Sequence, residues 1–140
     1  MMDMVTPSRR SEIMACIKSK DTKPERLVRS LLHRMGYRFR LHRPDLPGKP
    51  DIVLPRFQAV IFVHGCFWHG HNCKDGRRPK SNTEYWNEKL DRNVDRHRRN
   101  MRLLRRAGWR PLVIWECQCN DEKRLRGLLQ KAIRGWRTAK

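Results

Sequence analysis

The chain runs to 140 residues, and its 33 Lys and Arg against 14 Asp and Glu give a formal net charge of +19 with a pI near 11.0. So large a basic excess argues against an ordinary enzyme of small neutral substrates and points to nucleic acid, whose phosphates such a surface attracts. At this length roughly 68–70% of the unfolded surface is buried, so one domain with a real core is expected. The sequence shows no apolar run of about 18 residues and no signal-peptide pattern, which predicts a cytoplasmic protein with no membrane partner.

Residues 1–20 read as a short basic lead-in. Thr22, Pro24 and Glu25 then announce a helix, with Thr as N-cap and Glu at the third helical position, followed by Leu27, Val28, Leu31, Leu32 and Met35 on one face before Gly36 stops it. Tyr37, Phe39 and Leu41 alternate with Arg38, Arg40 and His42, the period of a strand with one wet face. A loop rich in Pro and Gly (Pro44, Pro47, Gly48, Pro50) leads to two apolar runs, 51–54 and 58–63, that predict a buried hairpin. Ser81 and Glu84 suggest a capping box for a long helix reaching Ala107 and ended by Gly108. Leu90, Val94, Met101 and Leu104 mark its apolar face. Residues 112–115 predict a further buried strand and 121–136 a basic closing helix. The expected class is α/β, a single domain with a central mixed sheet flanked by helices.

Five cysteines, Cys16, Cys66, Cys73, Cys117 and Cys119, are an odd number for a disulfide framework. Cys66, His69, His71 and Cys73 fall within eight residues, and Cys117 and Cys119 follow a strand. Tetrahedral Zn(II) needs four N or S donors. Cys66, His71, Cys73 and Cys117 would supply them and leave His69 over, with Cys119 as a rival fourth ligand; core thiols beside surface histidines are the plainer alternative.

Carboxylates are scarce, which gives two of them weight. Asp51 opens a buried strand, where an unpaired charge is costly, and is a candidate Mg(II) ligand or else a turn cap. Glu25 has a sufficient structural reason in the capping box. Phe67, Trp68, Tyr85 and Trp86 stand among cations at positions expected on the surface, suited to wedging between bases or to covering the metal site. Asn93, His97 and Asn100 share the inner face of the long helix, where a lone His is more often a hydrogen-bonded core residue. The surrounding Arg92, Arg96, Arg98, Arg99, Arg102, Arg105 and Arg106 suit a phosphate-tracking face.

Five blocks together make the chain recognisable: Asp21-Thr22-x-x-Glu25, Leu46-Pro-Gly-x-Pro-Asp51, Val60-Ile-Phe-Val-His-Gly-Cys-Phe-Trp-His69, Asn93-Val-x-Arg96 and Gly108-Trp-Arg-x-Leu-Val-Ile-Trp-Glu-Cys117. From about Ser8 to Cys117, in matching order, they closely resemble the very-short-patch-repair (Vsr) endonucleases. The resemblance implies a restriction-endonuclease-like core with a structural zinc held by Cys66, His71, Cys73 and Cys117. It implies a Mg(II)-dependent nick 5′ of the thymine in a T:G mismatch of double-stranded DNA, the lesion left by deamination of 5-methylcytosine. It divides the chain into a DNA-contacting segment, 1–20, and a catalytic core, 21–137. It also suggests a monomer at the bacterial nucleoid, with mismatch-repair accessory proteins as partners.

Carried over by position, Asp51 would hold Mg(II) with the backbone carbonyl of Val63, where relatives have Thr. His69 would be the general base, with Glu25 and His64 ordering waters. Phe67, Trp68 and Trp86 would enter the base stack, and Met14 and Ile17 would act from the minor groove. The chain departs from the family at His97, where the pattern has an Asp that would orient His69. A neutral imidazole can accept that hydrogen bond but supplies no negative charge. The departure implies a slower nuclease, or a carboxylate such as Asp91 or Asp95 in the role, although helix geometry turns Asp95 away. A mismatch-binding zinc protein of weak or no activity is the alternative, and an RNA-binding zinc protein of ribosomal type a more distant one.

Overall fold

A computed structural model describes residues 22–67, 71, 73 and 77–138. Helix α1 covers Lys23–Arg34; Thr22 Oγ1 accepts from the Glu25 amide at 3.4 Å, and Val28, Leu31 and Leu32 form its buried stripe. The Glu25 side chain does not return to the Thr22 amide as a capping box would have it. It turns inward and bonds elsewhere, as described below.

Strand β1 is only Arg40–Leu41, shorter than the alternation from Tyr37 predicts. Its partner β2, Ile52–Leu54, pairs antiparallel with Arg40 opposite Val53, and Pro55 then turns the chain into a 3-10 helix at Pro55–Phe57. No strand therefore lies opposite Tyr37, and Tyr37 and Phe39 pack on the core as loop side chains instead. The hairpin is as expected: β3, Ala59–His64, runs antiparallel to β2 with Ile52 opposite Ile61 and Val53 opposite Val60. Gln58 closes the turn at φ 48.

Helix α2 spans Thr83–Arg106 and crosses from β3 to β4, Arg110–Trp115, which pairs parallel to β3. The Ser81 capping box is not formed. Asn82 is the N-cap, enters at φ 51 and makes no side-chain cap bond, because a side chain reaches the first-turn amides from extended backbone. Gly108, at φ +89, ends the helix as expected. A 3-10 segment, Glu116–Asn120, leads to α3, Glu122–Thr138, whose first-turn amides at Lys123 and Arg124 donate to Asp121 Oδ1 at 3.1 and 3.2 Å.

The sheet order is β1-β2-β3-β4, mixed, and both faces are covered. Ile52, Leu54, Ile61 and Ile114 face α1 and α3, while Val53, Val60 and Phe62 face Leu104 of α2. Two-sided burial explains why the strands read as continuous apolar runs rather than alternations. It also leaves the C-terminal ends of β3 and β4 side by side, with His64 opposite Trp115. Among the described residues no helix is long and apolar enough to cross a membrane.

Candidate functional site

The parallel register carries Cys66 and Cys117 two residues beyond the paired His64 and Trp115, so two thiols arrive at one end of the sheet from separate strands. The turn after β3 brings the other two donors: the His71 amide donates to Cys66 O at 3.0 Å and the Cys73 amide to His71 O at 2.8 Å. One donor atom each from Cys66, His71, Cys73 and Cys117 lies within 4.8 Å of the others, with Cys117 Sγ 3.5 Å from His71 Nδ1. Tetrahedral Zn–S and Zn–N bonds set an S to N edge of about 3.6 Å, so the donor set fits a metal of that kind. Burial pushes the Cys66 thiol up to about 12 and raises Cys117, which disfavours thiolates here unless a cation compensates. Cys119 is excluded from the group: it is buried in the core and its Sγ donates to Trp115 O at 3.6 Å.

A second cluster forms where α1 meets the hairpin. Glu25 is 2% exposed, and its Oε2 accepts from Arg29 Nη2 at 2.7 Å and lies 2.9 Å from His42 Nε2. Asp51 Oδ2 accepts from the Val63 amide at 2.7 Å. Donor atoms of Glu25, His42 and Asp51 all fall within 4.8 Å of one another. Desolvation first, and the neighbouring Glu25 carboxylate second, lift the Asp51 carboxyl to about 7, against the Val63 bond and the pull of His42. Carboxylate oxygens placed so that ionisation is costly suit a divalent cation, and oxygen donors suit Mg(II).

Asp51 and Val63 border a cleft of about 910 Å³ whose opposite wall is α2. Asn93, Arg96, His97 and Asn100, spaced three and four apart on one helical face, line it together with His64 and Phe67. Gly48 makes the closure fit: at φ +77, an added Cβ would meet Asn100 Nδ2 at 3.1 Å and Phe62 Cε1 at 3.2 Å. A row of rings joins cleft to thiol cluster. His97 and His64 have centroids 4.3 Å apart, His64 and Trp115 5.4 Å, and His71 stacks on Trp115 at 4.1 Å.

A family model described as DNA mismatch endonuclease Vsr matches residues 2–75. The type II nicking enzyme V.XorIIP of Xanthomonas oryzae pv. oryzae is 52% identical over 133 residues, covering 92% of this chain and 98% of the relative. The chain belongs to the Vsr DNA mismatch endonuclease family. The nicking enzyme V.NmeAIP of Neisseria meningitidis is 44% identical over 134 residues, 96% of each chain. The DNA mismatch endonuclease Vsr of Escherichia coli is 42% identical over 125 residues, 89% of this chain and 80% of its own. The mixed sheet between helices is consistent with the restriction-endonuclease-like core of this nuclease family.

Of the residues the Vsr resemblance singles out, Asp51, Glu25, Val63, His64 and His97 line or adjoin the cleft, and the four thiol and imidazole donors gather beside it. Trp86 corrects an expectation: it is 4% exposed, packed on Leu90 and edge-to-face with Phe67 at 5.4 Å, so an apolar residue expected on the surface serves as a core anchor. Tyr85 beside it is exposed. Asp91 is bridged to Arg78 and Asp95 is exposed, so neither is among the residues lining the cleft beside His97. Met14, Ile17, Trp68 and His69 lie outside the described residues. His42 was missed, since alternation assigned it to a wet strand face; its turn inward at φ 48 left no signal in local sequence.

Two outcomes follow from these geometries. Cys117→Ser should lower bound metal well below about one ion per chain and reduce Tm by about 10 °C or more, whereas Cys119→Ser should keep the metal; elemental analysis beside calorimetry checks both. For Asp51, a folded-state pKa raised above the ordinary 3.8 means stability fully present below that value and lost as pH rises through about 7. Without added divalent ions, Asp51→Asn should therefore raise Tm by roughly 5 °C at pH 8 and by much less at pH 5, read by thermal melts.

Proposed function

We propose that this Vsr-family endonuclease nicks double-stranded DNA 5′ of the thymine in a T:G mismatch, with Mg(II) at Asp51 and structural Zn(II) at Cys66, His71, Cys73 and Cys117. The observation that carries it is Asp51 and Glu25, two carboxylates held together at the edge of a cleft in a chain of net charge +19. Three thiols and one imidazole are the donor chemistry of a closed structural zinc site. Bound at Asp51, with the Val63 carbonyl beside it, Mg(II) would offset charge developing on the scissile phosphate.

The chain's own groups do the rest. His69 is assigned the proton-accepting role, and Glu25 and His64 order water on the Asp51 side of the cleft. The arginines of α2 from Arg92 to Arg106 are exposed and would track the phosphate backbone, positioning the duplex without reading it. Phe67, backed by buried Trp86, and Trp68 next to it form the wedge at the mismatch, which costs less where pairing is already poor. Met14 and Ile17 act from the minor groove, within a DNA-contacting segment 1–20. The enzyme works as a monomer on chromosomal DNA in the cytoplasm, alongside mismatch-repair proteins.

The decisive assay compares T:G, T:A and C:G duplexes of otherwise identical sequence, with Mg(II) and with chelator. Nicking confined to the thymine strand of T:G is expected, and Asp51→Ala should abolish it while mismatch affinity stays within about one order of magnitude. Binding without nicking in Mg(II) would favour the mismatch-binding alternative.

His97 makes that alternative concrete. Burial lowers its pKa, so at neutral pH it adds no charge among Phe62 and His64. If it occupies the position of an anionic partner for His69, His97→Asp should raise the nicking rate about tenfold, equivalent to ~1.4 kcal/mol in the transition state. A less stable protein with an unchanged or lower rate would show His97 to be a packing residue.

A further inference from the structure

His42 has no part in the function just described, yet it is built into the cluster. Its ring Nε2 lies 2.9 Å from Glu25 Oε2, and its backbone amide donates to Asp51 O at 3.2 Å. The residue sits at φ 48, a left-handed conformation in which non-glycine residues persist where surrounding structure holds them. The loop thus aims one imidazole at the two carboxylates.

We propose that His42 is a direct nitrogen ligand at the divalent-cation site of Asp51, beside Glu25, so that the site that uses Mg(II) holds a borderline ion such as Co(II) more tightly than Mg(II). The inference rests on the reading that a divalent ion binds at Asp51. Ligand atoms about 2.1 Å from a six-coordinate ion stand about 3.0 Å apart when adjacent and about 4.2 Å when opposite. The 2.9 Å between His42 and Glu25 matches the adjacent spacing, and all three donor atoms lie within 4.8 Å of one another, so closing on an ion needs a shift of no more than about half an ångström between any pair. Imidazole adds little for Mg(II), which prefers oxygen and its own waters, and much for later first-row ions. The same 2.9 Å also suits a hydrogen bond that only holds Glu25, and the experiment separates the two roles.

Zinc-loaded full-length protein is titrated with Co(II) and with Mg(II) by calorimetry, without DNA. His42→Gln keeps an N–H donor for Glu25 but removes the ring nitrogen; His42→Asn removes it while tolerating the left-handed backbone. Wild type should bind Co(II) at least about tenfold more tightly than Mg(II), and both variants should lose about tenfold in Co(II) affinity with Mg(II) affinity held within about threefold. The proton NMR spectrum of the wild-type Co(II) complex should show a shifted, exchangeable ring N–H from a coordinated histidine, absent in the variants. Equal losses for both ions, or no loss, would overturn nitrogen ligation and leave His42 as a hydrogen-bonding partner of Glu25. Failure of the underlying reading looks different: Asp51→Ala would then bind Co(II) as tightly as wild type.

Discussion

The antiparallel pairing of β2 with β3 and the parallel pairing of β3 with β4 fix the frame on which the site is built. The first sets Asp51, just before β2, against Val63, whose amide donates to Asp51 Oδ2 at 2.7 Å. The second lays Trp115 beside His64 and so delivers Cys66 and Cys117 to one end of the sheet. A one-residue slip of β3 would turn its side chains to the opposite face and separate both pairs. Burial on both faces opposes that slip, because Val60 and Phe62 would trade places with Ile61 against cores of different shape.

The site is costly to charge in the absence of cations. Burial raises Asp51 to about 7 and Cys66 to about 12, so each cluster bears its negative form at a penalty that a divalent ion would remove. In a chain with 33 cationic and 14 anionic side chains, two of the few carboxylates stand together at the cleft. Arg29 holds one of them by an ion pair at 2.7 Å, which keeps Glu25 oriented toward Asp51 rather than toward solvent. The thiol cluster is joined to the cleft through Trp115, whose ring contacts both His71 and His64. A metal that fixes His71 therefore also braces the wall of the cleft.

At His97, where the Vsr resemblance implies an Asp, the surroundings suit a neutral ring. Phe62 and His64 meet its ring edge-to-face, at 5.7 and 4.3 Å, contacts that a half-buried neutral aromatic ring makes without desolvating a charge. The aromatic residue at the cleft is likewise supported from below. Trp86 is spent in the core with Leu90, and Phe67, half-buried on top of it, is presented toward the cleft.

Local sequence determined much of the architecture: the helical stripe of Val28, Leu31 and Leu32, the hairpin of residues 52–63, the strand ending at Trp115 and the Gly108 stop are all consequences of periodicity and turn chemistry. The thiol and imidazole cluster of Cys66, His71 and Cys73 was equally legible from spacing, with Cys117 and Cys119 both offered as its fourth member. Tertiary structure alone decided which fourth thiol joins that set, since Cys117 and Cys119 differ by two residues and only strand register separates the cluster from the core. It also decided that Glu25 leaves its capping box, that Trp86 is buried and that His42 turns inward. Each of these depends on which distant residues meet: Glu25 on His42, 17 residues away, and Trp86 on Phe67 in the turn after β3. Periodicity reports the face a side chain points from, whereas the partner waiting on that face is set by the pairing of strands and the packing of helices across the sheet.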